Sequence, residues 1–177
     1  MMSPEVCKLI AKLDRTLPLH LYGKGSSKSV DSLVREIESG ECQLVWENGT
    51  PLRVLRVALI TVRSPLGSLW EERQQFHNGQ VRFRNIEGVA EKCRPQESFQ
   101  ETAFRGLQEE LGLDRDIVAP TLEKVGCQTE CSARVSRSYP GLKSYYTREL
   151  FAIWLNDPKP GYVERGTEKN TYFIWRK

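Results

Sequence analysis

At 177 residues and 39% apolar content, the chain has material for one domain with a sizeable core, and it holds no apolar run long enough to span a membrane. A net charge of +3 does not demand nucleic acid as a partner, though it suits an anionic small molecule. Its five cysteines, Cys7, Cys42, Cys93, Cys127 and Cys131, are odd in number and scattered, which argues for reduced thiols rather than a disulfide framework.

Residues 3–13 predict a short amphipathic helix: Ser3 is a natural cap, Pro4 fits the first turn, and Val6, Leu9, Ile10 and Leu13 share one side. The Gly-, Ser- and Lys-rich segment 22–28 lacks the preceding strand and the Gly-Lys-Ser/Thr ending of a phosphate-binding loop, and reads as solvated linker. A second helix is predicted over 30–39, with Leu33, Val34 and Ile37 inward and Gly40 as its stop. Residues 1–40 thus form an N-terminal helical extension to a domain over 41–177, either packed on its edge or mediating self-association as a homodimer.

From residue 42 the period changes to that of strands. Residues 42–47 are a first candidate, followed by the turn signal Asn48-Gly49. Residues 53–63, RVLRVALITVR, are rich in branched side chains and too apolar in the middle to lie anywhere but inside. The strands 69–76 and 81–83 flank His77-Asn78-Gly79-Gln80, a hairpin that makes His77 a surface residue rather than a catalytic one. Residues 84–96 read as a loop into the next helix and 114–120 as a short connector. Long strands are predicted over 121–135 and 143–155, separated by a turn at 136–142 with Pro140-Gly141 at its centre. The Pro-, Gly- and Asp-rich segment 156–161 ends the second of them, Glu164 and Glu168 read as surface charges on the last loop, and 171–175 forms a final strand.

The most informative stretch is 97–113, ESFQETAFRGLQEELGL. Phe99, Ala103, Leu107 and Leu111, with Phe104 beside them, form the apolar stripe of a helix that buries one face. Thr102, Gly106, Glu109 and Glu110 share a second face, where two adjacent carboxylates stand at the carbonyl end of the helix dipole. Negative charge is disfavoured there, so the pair is either solvated or held by a cation. Gly112 supplies the helix stop.

Letter by letter, this stretch resembles the Nudix box, G-x5-E-x7-R-E-U-x-E-E-x-G-U with U a bulky aliphatic residue. Glu97, Arg105, Leu107, Glu109, Glu110, Gly112 and Leu113 stand where that pattern asks. Glu91 replaces its opening glycine and Gly106 replaces the first glutamate of its core. The segments LWEERQQF, GVAEKCRPQE, FRGLQEELG, SRSYPGL and YFIWRK are also similar to a plant and algal group of Nudix-like proteins that share these departures and bring no substrate. The resemblance implies an α/β fold, an α/β/α sandwich around a mixed sheet. It further implies a Mg²⁺- or Mn²⁺-dependent pyrophosphohydrolase acting on a nucleoside diphosphate derivative or related phosphoanhydride, with activity reduced by the loss at 106.

The chemistry such a site needs is plain. A diphosphate bridge carries at least two negative charges, so carboxylates approach it only with a divalent ion between, and Mg²⁺ takes oxygen ligands while keeping waters. Glu109 and Glu110 are the leading metal and catalytic candidates. A third ligand is open: the backbone carbonyl at Ala90 or Glu91, the Glu91 side chain, or a carboxylate from a neighbouring strand, Glu130 or Glu149. Arg105 enters the catalytic set in a structural role, resembling the family's partner of Glu97; Glu101, four residues before it, is a rival partner. For the substrate phosphates, Lys92 and Arg94 lead, followed by Arg84 and Lys143. Trp70, Tyr139, Tyr145 and Tyr146 are candidates to stack a base, with core packing as the bland alternative.

Cys127 and Cys131, without a second Cys/His cluster, do not make a zinc site. The N-terminus shows neither a hydrophobic signal region nor an Arg-rich, acid-poor helix, so the expected location is cytoplasmic, with no membrane partner. A reading from a different class stands beside the hydrolase: a noncatalytic Nudix-fold module that recognises a nucleotide or a protein, which Gly106 favours as Glu109-Glu110 favours the enzyme.

Overall fold

The computed structural model describes residues 4–25, 27–129, 134–136 and 138–177; Ser3, Glu130 and Cys131, singled out above, lie outside that set. The chain divides into two compact units, one of residues 1–56, 94–96 and 129–147, the other of residues 57–93, 97–128 and 148–177. Among the described residues no helix is long and apolar enough to cross a membrane.

The first unit holds helices α1 (Pro4–Asp14) and α2 (Val30–Glu38), strand β1 (Gln43–Glu47), the start of β2 (Thr50–Ser64), β7 (Arg134–Val135) and the start of β8 (Lys143–Trp154). Asn48 and Gly49, both at positive φ (50° and 78°), make the tight turn that pairs β1 with β2. The Ser29 hydroxyl accepts from the Ser32 amide and caps α2. Leu33 and Val34 are buried as the pattern requires, but Ile37 is only partly covered and Glu36 is buried in addition. A buried carboxylate needs a partner, and Arg53, itself buried, gives it an ion pair at 2.5 Å; Lys28 adds another at 2.7 Å. Tyr139 is wholly buried in this unit, its ring 5.7 Å from that of Tyr22 and 5.0 Å from the Arg53 guanidinium. Tyr139 is therefore core and presents no face for stacking a base.

The second unit is built on a sheet in the order β6-β8-β2-β3-β10-β9, with β3 at Gly67–Phe76, β6 at Glu123–Thr129, β9 at Gly161–Arg165 and β10 at Lys169–Arg176. β4 (Val81–Glu87) pairs antiparallel with β3, and β5 (Val89–Lys92) antiparallel with β2. The C-terminal ends of β2 and β8 meet, Leu155 N–H donating to Arg63 O at 2.8 Å, so these two run in parallel and the sheet is mixed. The α/β class and the mixed sheet expected from the sequence are both present.

Three local readings need correction. Residues 84–96 are not simply a loop: Gly88, at φ 76° and packed against the Ile60 carbonyl, bends the chain out of β4 and into β5. Of the predicted strand 121–135, the described residues form β6 from Glu123 and β7 from Arg134, and residues 130–133 lie outside the described set. Glu164 does not stand on a final loop but in β9, a strand whose short alternation was hidden behind the turn-rich segment before it. The connector after the main helix also contains a single helical turn, α4 (Arg115–Val118).

Helix α3 (Phe99–Leu111) covers the sheet of this unit, packing on β5 and β9. Ala103, Phe104, Leu107 and Leu111 join Ala58, Ile60, Val62, Leu69, Val89, Phe151, Ile153, Tyr162 and Phe173 in one core. Its start is held by a capping box in which Ser98 and Glu101 bond reciprocally, and its end by Gly112 in the left-handed conformation.

Candidate functional site

The candidate site lies on the face of α3 that turns toward β5 and β9, and strand alternation decides which side chains reach it. On β5, Val89 and Glu91 face the helix and Ala90 and Lys92 the opposite side. On β9 and β10, Glu164 shares its face with buried Tyr162, and Lys169 shares its face with buried Thr171 and Phe173. On β3, Glu71 shares its face with wholly buried Leu69 and is itself buried. The sheet thus gathers three further glutamates toward a helix that already carries Glu109 and Glu110.

Arg105 organises one half of this cluster. Its Nε and Nη2 donate to Glu97 Oε1 and Oε2 at 2.8 and 2.9 Å, a two-point fork. Nη1 donates to Glu91 Oε1 at 2.8 Å and Glu109 Oε2 at 3.2 Å, while Nη2 also reaches the Lys92 carbonyl at 2.8 Å. The sequence left two partners open, and Glu97 takes the bond because Glu101 is turned back to the Ser98 amide and hydroxyl at the helix start. Those Ser98 bonds hold the Glu101 carboxyl below its usual range. The hydrogen bonds to Glu97, and after them those to Glu91, push the Arg105 guanidinium further up, so it carries its charge at every accessible pH.

Glu110 lies in the other half, in the last turn of α3 and partly buried. Burial first, then the charges of Glu164, Glu91 and Glu71, push its carboxyl well above the usual glutamate range, with Lys169 opposing them. Glu109, one residue earlier, is about half exposed, its side chain retaining 48% of its accessible surface. Among the described residues no three His, Cys, Asp or Glu side chains converge closely enough to hold a metal ion between them as they stand. The donor chemistry nonetheless suits a hard divalent cation, since it is all carboxylate oxygen and its crowding is already felt at Glu110.

The remaining candidates are placed as follows. Lys92 is on β5 with its side chain on the face away from α3, and its carbonyl rather than its ammonium serves the cluster. Arg94 is exposed and belongs to the first unit. Arg84, on β4, approaches Glu71 at 3.6 Å. Lys143 is exposed at the start of β8, in the first unit. Glu149 is engaged by Lys124 at 2.8 Å, and Trp70 lies under the Arg176 guanidinium at 5.1 Å. His77 is exposed at its hairpin, as the turn signal required. Glu71, Glu164 and Lys169 were not foreseen. Their signal was a charged residue two places from an apolar one within a strand, Leu69-x-Glu71 and Tyr162-x-Glu164, which marks a charge on the buried side.

No protein-family profile matches the chain, and no curated protein matches it. Among solved structures, the chain is similar to the dihydroneopterin triphosphate pyrophosphohydrolase of E. coli, at 18% identity over 68% of this chain and 78% of that one, with a TM-score of 0.45. An Ap4A hydrolase of C. elegans matches at 14% identity over 68% and 78%, with a TM-score of 0.43. A Deinococcus radiodurans protein matches at 13% over 68% of this chain, which spans 65% of its length, with a TM-score of 0.39. None of these three reaches 25% identity or a TM-score of 0.5.

Proposed function

We propose that this chain is a divalent-cation-dependent hydrolase of phosphoanhydrides, of the Nudix type, with a nucleoside diphosphate derivative or a related diphosphate as substrate. The observation that carries the reading is the placement of Glu110: a partly buried carboxyl on the helix toward which the sheet turns Glu71, Glu91 and Glu164, whose charged form is costly there unless a cation joins it. A chain selected only for stability has no reason to collect those charges on one face.

In this reading Glu110, Glu109 and Glu91 hold Mg²⁺ or Mn²⁺, Arg105 fixes Glu91 and Glu97, and Arg84, on β4 beside Glu71, is the basic residue for the substrate phosphates, a role that the outward side chain of Lys92 and the place of Arg94 in the other unit do not support. The ion, when bound, supplies charge neutralisation for the diphosphate and acidifies water for attack on phosphorus. The protein's own part is positional. Arg105 ties the end of β5 to α3 through the Lys92 carbonyl and the Glu91 carboxylate, so the strand cannot drift from the helix. Glu109, the most exposed of the Arg105 partners, has the weakest of its bonds and the freest path to a ligand.

The test is hydrolysis of a panel of nucleoside diphosphate compounds with and without Mg²⁺ or Mn²⁺, on the parent and on Glu110→Gln. Metal-dependent cleavage of the diphosphate bridge, followed as the two monophosphate products, that falls at least about a hundredfold in the variant is expected, as for loss of a direct charge contact in a transition state. Turnover that survives Glu110→Gln unchanged, or is absent from both proteins, removes the hydrolase reading. The binding-module reading has one observation of its own: Arg105 already engages Glu91, Glu97 and Glu109 from within. Nucleotide binding without turnover is the outcome it requires.

A further inference from the structure

Gly106 sits in the middle of α3, where glycine is disfavoured relative to alanine. The packing explains why it is there. A Cβ on residue 106 would stand 2.8 Å from Glu91 Cβ and 3.1 Å from Glu91 Cγ, with Val89 Cγ1 at 3.5 Å. The first two distances are inside van der Waals contact, and the nearer atom is attached directly to the β5 backbone, so a change of rotamer cannot relieve it. Strand and helix are each fixed from behind. β5 is laddered onto β2 through Val57↔Lys92, Ala58↔Glu91, Leu59↔Ala90 and Ile60↔Val89, and α3 is anchored by wholly buried Ala103 and Leu107. The same close approach lets Arg105 reach both Glu91 and the Lys92 carbonyl at 2.8 Å.

We infer that Glu91 and Gly106 form a reciprocal pair: the bare helix surface at 106 is a positioning device that admits the Glu91 side chain, so the strand delivers into the acidic cluster a carboxylate that the helix does not carry. The functional half of this inference rests on the metal-dependent reading above; the steric half stands on the packing alone. These are also the two positions at which the chain departs from the box it resembles, and the contact makes the two departures one event. A glycine at 91 leaves room for a side chain at 106, and a glutamate at 91 forbids one.

The experiment is a two-position cycle using Gly106→Ala, Glu91→Gly and their combination, read by thermal unfolding in EDTA and by Mn²⁺ binding. Gly106→Ala in the parent is expected to lower Tm by about 2–6 °C, the effect of overpacking less the gain in helix propensity. In the Glu91→Gly background the same substitution is expected to raise Tm by about 2–3 °C, because the obstruction is gone and the propensity remains. The Mn²⁺ arm reads what packing alone does not move: Gly106→Ala is expected to weaken binding at least tenfold, and Glu91→Gly with Gly106→Glu to bring it back to within about threefold of the parent while Glu91→Gly alone does not. A Gly106→Ala effect of the same sign and size in both backgrounds overturns the pairing. A reversal of sign in a protein that binds no Mn²⁺ upholds the pairing and removes the metal-dependent reading instead.

Discussion

Removing Arg105 exposes how much of the candidate site depends on one side chain. The guanidinium makes five hydrogen bonds, one for each of its donors, to Glu97, Glu91, Glu109 and the Lys92 carbonyl. Its side chain is 14% exposed, and those of Glu97 and Glu91 are 15% and 23% exposed, so these two pairs are only weakly screened, whereas Glu109 is half in water. Breaking a buried pair costs about 3–5 kcal/mol because a charge is left uncompensated, while an exposed pair four apart on a helix contributes about 0.3–0.5 kcal/mol. Partial exposure brings the expected loss for Arg105→Ala to about 3 kcal/mol, or a fall in Tm of about 6–12 °C for a chain of this size. Arg105→Lys keeps the charge but loses the fork to Glu97, and about 1–2 kcal/mol of that loss should remain. Urea unfolding followed by circular dichroism measures both, and a cycle with Glu97→Ala should return a coupling above about 1.5 kcal/mol. A loss below about 1 kcal/mol for Arg105→Ala, or full compensation by lysine, would refute the placement of Arg105 as the tie between helix and strand.

Glu110→Gln is expected to stabilise the metal-free protein at neutral pH. The folded carboxyl is pushed up, so the folded state holds the proton longer than the unfolded one and parent stability falls as pH rises from about 4.5 through the folded value; the variant should lack that slope in Tm measured in EDTA. Millimolar Mg²⁺ should raise the Tm of the parent and not of Glu110→Gln. In the first unit, Glu36→Ala strands the Arg53 guanidinium, 5% exposed, and should cost about 3 kcal/mol, whereas Lys28→Ala, with 45% of its side chain in solvent, should cost no more than about 1 kcal/mol. Equal losses from the two substitutions in urea titrations would contradict that division.

Local chemistry made much of this protein readable before folding was considered. The α3 stripe and its stop at Gly112 follow from 3.6-residue periodicity and capping, which involve neighbours within one or two turns. The turns at Asn48-Gly49 and Asn78-Gly79 and the interior strand through residues 53–63 are equally local. Short elements escaped for a related reason. β5 and β9, at four and five residues, are too brief to show a period, and each exists because a longer strand offers it a ladder.

By itself the sequence determined the α/β class, the helix that carries Glu109 and Glu110, and the choice of Glu97 or Glu101 for Arg105. Tertiary structure decided between those two, since only the folded chain, with β5 against α3, places Glu97 on the guanidinium fork beside Glu91 and the Lys92 carbonyl. It also brought Glu71 and Glu164 onto the face that Glu110 senses, across separations of 39 and 54 positions that no periodicity can bridge. The meaning of Gly106 was decided in the same way: on the helix it reads as a missing acid, and against β5 it is the space that Glu91 requires. Spacing along a chain fixes what one element presents, while burial and charge depend on what another element sets against it.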